Sequence, residues 1–272
     1  MLEHISVTQL TMLARCPVQY EWRYVKGEKR PPGIAAVVGG GVHGGAERAM
    51  RNKAGTRQNM QPDAVKDLAV AEFETRLAEG VHLTPEEKSV GRLKVFGAAR
   101  DATAEYAAFW ADTAQHEYQP LDVEAVEWKW EIELERFGTL LTGVTDLVDD
   151  RERVVDWKTG KRAPPVRDAE TSLQLTAYAL AYQKMHGSVP SSVLIDAMTR
   201  SSSGVRRTVH ASLRGRADYQ QFLDRVEVAL QLVGAGRFMP CNPDSWFCSR
   251  RWCGYSDVCK FYIPELDKEV LR

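Results

Sequence analysis

The chain is short of most features that would place it in a specialised class. No run of it approaches the roughly 18 consecutive apolar residues of a membrane-spanning helix, so no membrane partner is expected. Its first ten residues include Glu3 and His4 and lack a charged-then-apolar order, so a secretory leader is not expected and a cytoplasmic location is. Neither sign of charge dominates: 36 Lys and Arg stand against 37 Asp and Glu, a formal charge of −1. Non-specific coating of nucleic acid by a polycation is thereby excluded, and any such contact must come from a local patch. Cysteine is scarce and odd in number, with four of the five between Cys241 and Cys259. That pattern fits a disulfide scaffold badly and suits a metal or cluster site in a reducing compartment. Internal repeats and low-complexity segments are absent. What remains is 272 residues at 44% hydrophobic and 27% charged composition, ample for a packed core.

The periodicity divides the chain. Ser6 with Gln9 forms a capping-box pattern ahead of Leu10, Leu13 and Ala14, which predicts an opening helix. Pro31-Pro32-Gly33 breaks the chain, and Gly39-Gly40-Gly41 is read as preceding a helix with His43, Glu47 and Arg48. From Pro62 to Ala114 the pattern is helical throughout. The period then becomes two: Val126, Trp128, Trp130, Ile132 and Leu134 alternate with charged residues, the mark of a half-buried strand. Leu140 to Val148 and Arg153 to Trp157 read as further strands, Leu173 to Lys184 as a helix. Val193 to Met198 and Val205 to His210 read as a strand pair, Ala217 to Val233 as a long helix. The tail from Phe238 to Tyr262 has neither period. The expectation is one α/β domain over 1–272. It carries a helical insertion at about 51–118, a core at about 119–236 and a cysteine-rich cap at about 237–262.

Three groups on the expected sheet make a chemical site. Asp156 and Lys158, two apart in a strand, share a face while Trp157 turns into the core. If the neighbouring strand pairs alongside, Asp146 reaches the same side. Paired carboxylates hold Mg²⁺ or Mn²⁺, which neutralises a phosphodiester and lowers the pKa of a bound water. A lysine beside them steadies charge developing on phosphorus. His43 could add a nitrogen ligand, favouring Mn²⁺, and Glu127 could also reach the metal. An isolated Asp-x-Lys at a strand end is most often a surface ion pair, and the order and context of the other residues change that reading.

The spacing Cys248-x4-Cys253-x5-Cys259 supplies three thiolates among aromatics, with Cys241 or Cys16 as a fourth. Zinc and a [4Fe–4S] cluster both accept four thiolates, and the lack of two tight C-x2-C pairs tilts the choice toward the cluster. Candidate nucleic-acid patches interleave cations with aromatics (Tyr20, Trp22, Arg23, Tyr24, Lys26, Lys29, Arg30). Others follow the acidic site (Lys161, Arg162, Arg167) or cluster later (Arg206, Arg207, Arg214, Arg216). Lys161 and Arg162 adjoin the expected metal most closely.

Read in order, Gly41-Val42-His43-Gly44, Gly143-Val144-Thr145-Asp146, Val155-Asp156-Trp157-Lys158-Thr159-Gly160 and Gln174-Leu175-Thr176-Ala177-Tyr178 resemble the motifs of RecB-type PD-(D/E)XK nucleases. The opening Ser6 to Leu10, with Cys16-Pro17 and Tyr20, is similar to that family's N-terminal helix. The tail from Cys248 to Cys259 resembles its iron–sulfur cap in the form seen in phage exonucleases. The resemblance implies an α/β/α nuclease core around a central mixed sheet. His43, Asp146, Asp156 and the Trp157 carbonyl would be metal ligands and Lys158 the catalytic lysine. Gln174 and Tyr178 would contact DNA or support the site, with Glu127 and Glu47 as weaker carry-overs. It also implies that Cys16 joins Cys248, Cys253 and Cys259 around a structural [4Fe–4S] cluster, leaving Cys241 spare. The function expected is metal-dependent cleavage of DNA, from single-stranded ends. Rival readings are a spacer-trimming nuclease of CRISPR adaptation working beside an integrase, a non-catalytic DNA-binding module, and a zinc-stapled interaction protein. A recombination partner fits the first reading.

Overall fold

The computed structural model describes residues 2–264; Met1 and the last eight residues of the expected domain lie outside the described residues. The elements run β1 (His4–Ser6), α1 (Val7–Arg15), α2 (Pro17–Tyr20), a π-helical turn (Glu21–Val25), α3 (Ile34–Thr56), α4 (Pro62–Ala78), α5 (Pro85–Val90), α6 (Arg92–Asp112) and α7 (Ala114–Glu117). They continue with β2 (Val126–Leu134), β3 (Thr139–Val148), β4 (Arg153–Gly160), α8 (Val166–Thr171), α9 (Leu173–His186), β5 (Ser192–Ser201), β6 (Gly204–Ser212) and α10 (Arg216–Gly234). No helix among the described residues is long and apolar enough to cross a membrane.

The six strands form one mixed sheet, ordered β1-β3-β4-β5-β6, with β2 also paired to β3. Both faces are covered, which makes the architecture α/β/α as expected. One core packs α1, α9 and α10 against Trp128, Trp130, Ile132, Leu141, Val154 and Ile195. The other packs α3, α4 and α6 against Leu147, Val155, Trp157, Leu194 and Met198. A mostly apolar helix such as α9, with Leu175 to Tyr182 all buried, is what a sheet covered on both faces requires.

Two features of the sheet position the site. β3 and β4 pair at only two positions, Leu147↔Val155 and Val148↔Val154, and then separate. β1 occupies the far end of the same edge, parallel to β3 at Leu140–Thr142. The gap between them leaves Asp146 and Asp156 on strands that diverge. Short β1 escapes the sequence reading because three residues carry no period.

Three expectations need correction. The glycine triplet does not precede a helix but lies within α3, which starts right after Pro31-Pro32-Gly33. A Cβ on Gly41 would meet Phe73 and the Ala69 carbonyl within 3.0 Å, and one on Gly45 would meet Ala69 and the Val65 carbonyl equally closely. Close approach of α4 thus outweighs the low helix propensity of glycine. The stretch from Pro62 to Ala114 is three helices, because Gly80 and Gly91 adopt positive φ (117° and 98°) and Thr84 caps a new start. Finally, the alternation of β2 is broken at its first step. Val126 packs into the α3/α6 core whereas Trp128 to Leu134 pack into the other. Glu127 between them has φ 49°, a left-handed backbone that turns the strand over.

Candidate active site

The gap between β3 and β4 opens into a cleft of about 1010 Å³. α3 forms one wall with Gly39, Gly40 and His43, and β2, β3, β4 and α9 supply Glu127, Asp146, Asp156, Lys158, Gln174 and Tyr178. His43 stands in the middle of its helix, held edge-on against the buried Trp157 ring, 6.3 Å away. Its Nδ1 lies 3.3 Å from Asp146 Oδ1. Asp146 uses its other oxygen to accept the Trp157 backbone N–H at 2.6 Å, a bond that spans the separated strands. One ligand atom each from His43, Glu127 and Asp146 lies within 4.8 Å of the others. An imidazole nitrogen with two carboxylates is a donor set suited to Mn²⁺ or Mg²⁺, so the residues fit the expected cation.

Asp156 is almost fully buried, and Lys158 Nζ donates to it at 2.8 Å and lies 2.7 Å from its other oxygen. The same ammonium donates to Gln174 Oε1 at 3.3 Å, and Gln174 Nε2 donates onward to the Tyr178 hydroxyl. Gln174 and Tyr178, one turn apart on α9, therefore hold the lysine from behind. Tyr178 is buried and packs edge-on against Trp130.

The electrostatics follow from this crowding. Burial disfavours a charged His43, yet the carboxylate of Asp146, with Asp156 behind it, more than compensates and lifts the imidazole to about 9. Burial pushes Asp146 up, but His43 and then Lys158 outweigh it and hold that carboxyl below its ordinary range. Asp156 is raised to about 6 by burial, with Lys158 opposing and Asp146 adding. Glu127 rises to about 7 through burial and the charge of Asp146. Lys158 resists burial and is raised by Asp156 and Asp146, so it is a fixed cation. Two carboxyls pushed up beside one held down is the disposition of a site that gathers positive charge.

Other sequence candidates lie elsewhere. Glu47, one turn beyond His43, pairs with Arg51 at 3.0 Å, and Arg51 donates to the Val126 carbonyl at 2.9 Å, anchoring the entry to β2. Lys161 and Arg162 are exposed beyond the end of β4 and do not line the cleft. Arg207 is spent on the buried Asp196, and Arg214 on Thr176 and the Ala169 carbonyl. Tyr20 is buried, while Trp22 lies under Lys26 and stacks on Tyr255. Two cations of the cleft escaped the sequence reading: Arg76, from the insertion where no motif was evident, and Lys129, on the polar face of β2.

All five cysteines are free thiols, and all line a second, smaller cavity between α2 and the tail. Gln19 Nε2 donates to Cys253 Sγ at 3.2 Å, and the Cys241 thiol lies beside those of Cys16 and Cys248. The tail is tied down by Tyr255, whose hydroxyl donates to the Glu28 carbonyl at 2.7 Å, and by the Arg30–Asp257 ion pair at 3.1 Å. Burial raises the Cys248 and Cys253 thiols. Chemically, the donor set suits a four-thiolate group, with one sulfur to spare.

A two-face α/β/α sandwich, with an acidic, imidazole and lysine cleft at a strand divergence, has the architecture of metal-dependent nucleases. The profile of the PD-(D/E)XK nuclease superfamily matches residues 4–260, and the chain belongs to that superfamily. Among solved structures, a candidate exonuclease from Eubacterium rectale superposes with a TM-score of 0.56 at 16% identity, covering 97% of this chain and 92% of its own. SSO0001 aligns over 96% of this chain and 87% of its own, at 12% identity and a TM-score of 0.43. No curated protein matches the chain.

Proposed function

We propose that this protein is a metal-dependent deoxyribonuclease that removes nucleotides from single-stranded DNA ends. The observation that carries the reading is the grouping of His43, Glu127 and Asp146 within 4.8 Å of one another in the cleft that also holds Lys158 and Asp156. The exonuclease mode is supported by the phage-type motifs of the sequence and by the name of the Eubacterium rectale protein. The whole chain acts as one nuclease domain, the insertion over 51–118 backing the core over 119–236 and the cap over 237–262.

His43, Glu127 and Asp146 would hold Mg²⁺ or Mn²⁺, with Asp156 and the Trp157 carbonyl as remaining donors on β4. When bound there, the cation supplies Lewis-acid stabilisation of the phosphodiester and acidifies the attacking water. Lys158, a cation held by Asp156 and Asp146, would steady charge developing on the phosphoryl oxygens rather than take a proton. Gln174 and Tyr178 fix the direction of that ammonium. In the cap, Cys16, Cys248, Cys253 and Cys259 would ligate a structural [4Fe–4S] cluster.

Digestion of end-labelled single-stranded DNA with Mg²⁺ or Mn²⁺ tests the proposal. Wild type should cut only with the metal, and Lys158→Ala should lose roughly 10²–10³-fold in kcat, as removal of one charge-stabilising donor does. Equal cleavage by both proteins would refute the assigned centre.

A further inference from the structure

The helical insertion reaches into the cleft through Arg76, in the last turn of α4. We propose that Arg76 binds a backbone phosphate of the substrate strand next to the one that is cut. The proposal rests on the nuclease reading given above.

Arg76 is seated on the backbone of α3. A Cβ on Gly40 would lie 2.8 Å from Arg76 Cδ, Nε and Nη1, so the side chain lies on the helix where only a glycine leaves room. One turn later, Gly44 makes the same space for Glu72. Glu72 accepts from Arg76 Nε at 2.9 Å and from Arg48 at 3.1 Å. One carboxylate between two guanidinium groups leaves the cluster net positive and holds the arginine in place. The two terminal nitrogens of Arg76 make no further hydrogen bond among the described residues, and 45% of the side chain is exposed. A half-exposed guanidinium whose outer nitrogens carry no hydrogen bond is a group that grips a phosphate.

Its place along the helix matters equally. Gly40 and His43 are three residues apart, about 4.5 Å of rise and on neighbouring parts of one face. The arginine therefore stands beside the proposed metal ligands, not at a distant rim. The cleft also needs it. Of the cations lining the cleft, Lys158 is engaged by Asp156 and Gln174 and Lys129 stands exposed on β2, while Glu127, Glu131, Asp146 and Asp156 add negative charge. A polyanionic strand entering that cleft requires further cations on its path.

The test measures cleavage kinetics on a short end-labelled single-stranded oligonucleotide for wild type, Arg76→Ala, Arg76→Lys and Gly40→Ala. Arg100→Ala is the control, since it also removes an arginine paired with a glutamate of α4 but lies outside the cleft. Arg76→Ala should raise KM about tenfold or more, the worth of a charge-assisted contact. It should reduce the salt dependence of DNA binding by about one counterion, and Arg76→Lys should fall between. Gly40→Ala keeps the charge but pushes its flexible end aside, so KM should rise while the melting temperature holds or increases. Arg100→Ala should leave KM unchanged.

Unchanged KM and salt slope in Arg76→Ala, with wild type cutting normally, would overturn the proposal and leave the nuclease reading intact. An equal rise in KM for Arg100→Ala would also overturn it, by assigning the effect to overall charge. If Arg76→Ala fails to fold, Gly40→Ala decides alone. Absence of both binding and cutting by wild type would instead bring down the nuclease reading, and this proposal with it.

Discussion

At neutral pH the proposed metal site of the free protein holds a proton where a ligand must offer a lone pair. His43 Nδ1 faces Asp146 Oδ1 at 3.3 Å, and that pairing keeps the imidazole protonated to about 9. Glu127, raised to about 7, is half neutral there. Coordination requires both groups deprotonated, so metal binding must expel protons. The sign follows: a group whose pKa in the free protein lies above the solution pH weakens binding as pH falls. Mn²⁺ or Mg²⁺ affinity should therefore climb between pH 7 and 9, by about tenfold per unit for each proton displaced, and level off above 9. Calorimetric titrations in buffers of different ionisation heat would read both affinity and proton release. A flat affinity across that range would mean that no proton leaves His43 on metal binding, because it is already neutral or does not ligate; an unchanged affinity in His43→Ala would then remove it from the ligand set. Individual residues of this kind were legible where a strand period placed them: Asp156 and Lys158 share a side because residues two apart must, and Asp146 joins them from the neighbouring strand β3. Arg76 was not, because a single arginine in a helix carries no pattern. Only the packing of α4 onto the glycines of α3 brings it to the cleft.

At the scale of elements, the β2–β3 ladder shows what the motif glycine is for. Gly143 faces Trp130, and a Cβ there would run into the indole ring. That ring is buried, its Nε1 donates to Thr145 at 3.0 Å, and Tyr178 packs edge-on against it. Gly143→Ala should thus destabilise the fold by about 1–3 kcal/mol through overpacking, although alanine suits a strand better than glycine does. Denaturant unfolding would measure it, and a loss under about 0.5 kcal/mol would mean that the indole moves freely aside. The strand pattern foretold β2, β3 and β4, and the capping box of Ser6 foretold α1. It failed at Glu127, where a left-handed residue reverses the alternation. Such a backbone costs about 1–3 kcal/mol and persists where its surroundings impose it. Here it sits at one of the three grouped ligand atoms. The extra length of α3 escaped for a related reason, since contact with α4 decides the fate of its glycines.

Across the whole molecule, the cysteines join sequence ends that the sheet alone does not link. Cys16 follows α1, and Cys241, Cys248, Cys253 and Cys259 come after the last helix, yet all line one cavity. The tail there has no regular period, and its contacts to the N-terminal segment include Tyr255 on Glu28 and Trp22, Arg30 on Asp257, and Gln19 on Cys253. A bound four-thiolate group would close a loop of about 230 residues between Cys16 and Cys248. By the loop-entropy reasoning applied to disulfides, such a link is worth about 5–6 kcal/mol, or roughly 10–20 °C in melting temperature for a chain this size. Protein prepared without oxygen should be brown, contain iron and sulfide, and melt higher than the same protein after chelation. Cys253→Ala should abolish that difference, whereas Cys241→Ala should preserve it if Cys16 is the fourth ligand. Zinc in a colourless protein would replace the cluster but keep the linkage. Equal melting of Cys253→Ala and wild type, both as isolated, would refute a structural role for the thiols. The cap would then hold by other contacts, the aromatic and ionic ones to residues 19–30 among them.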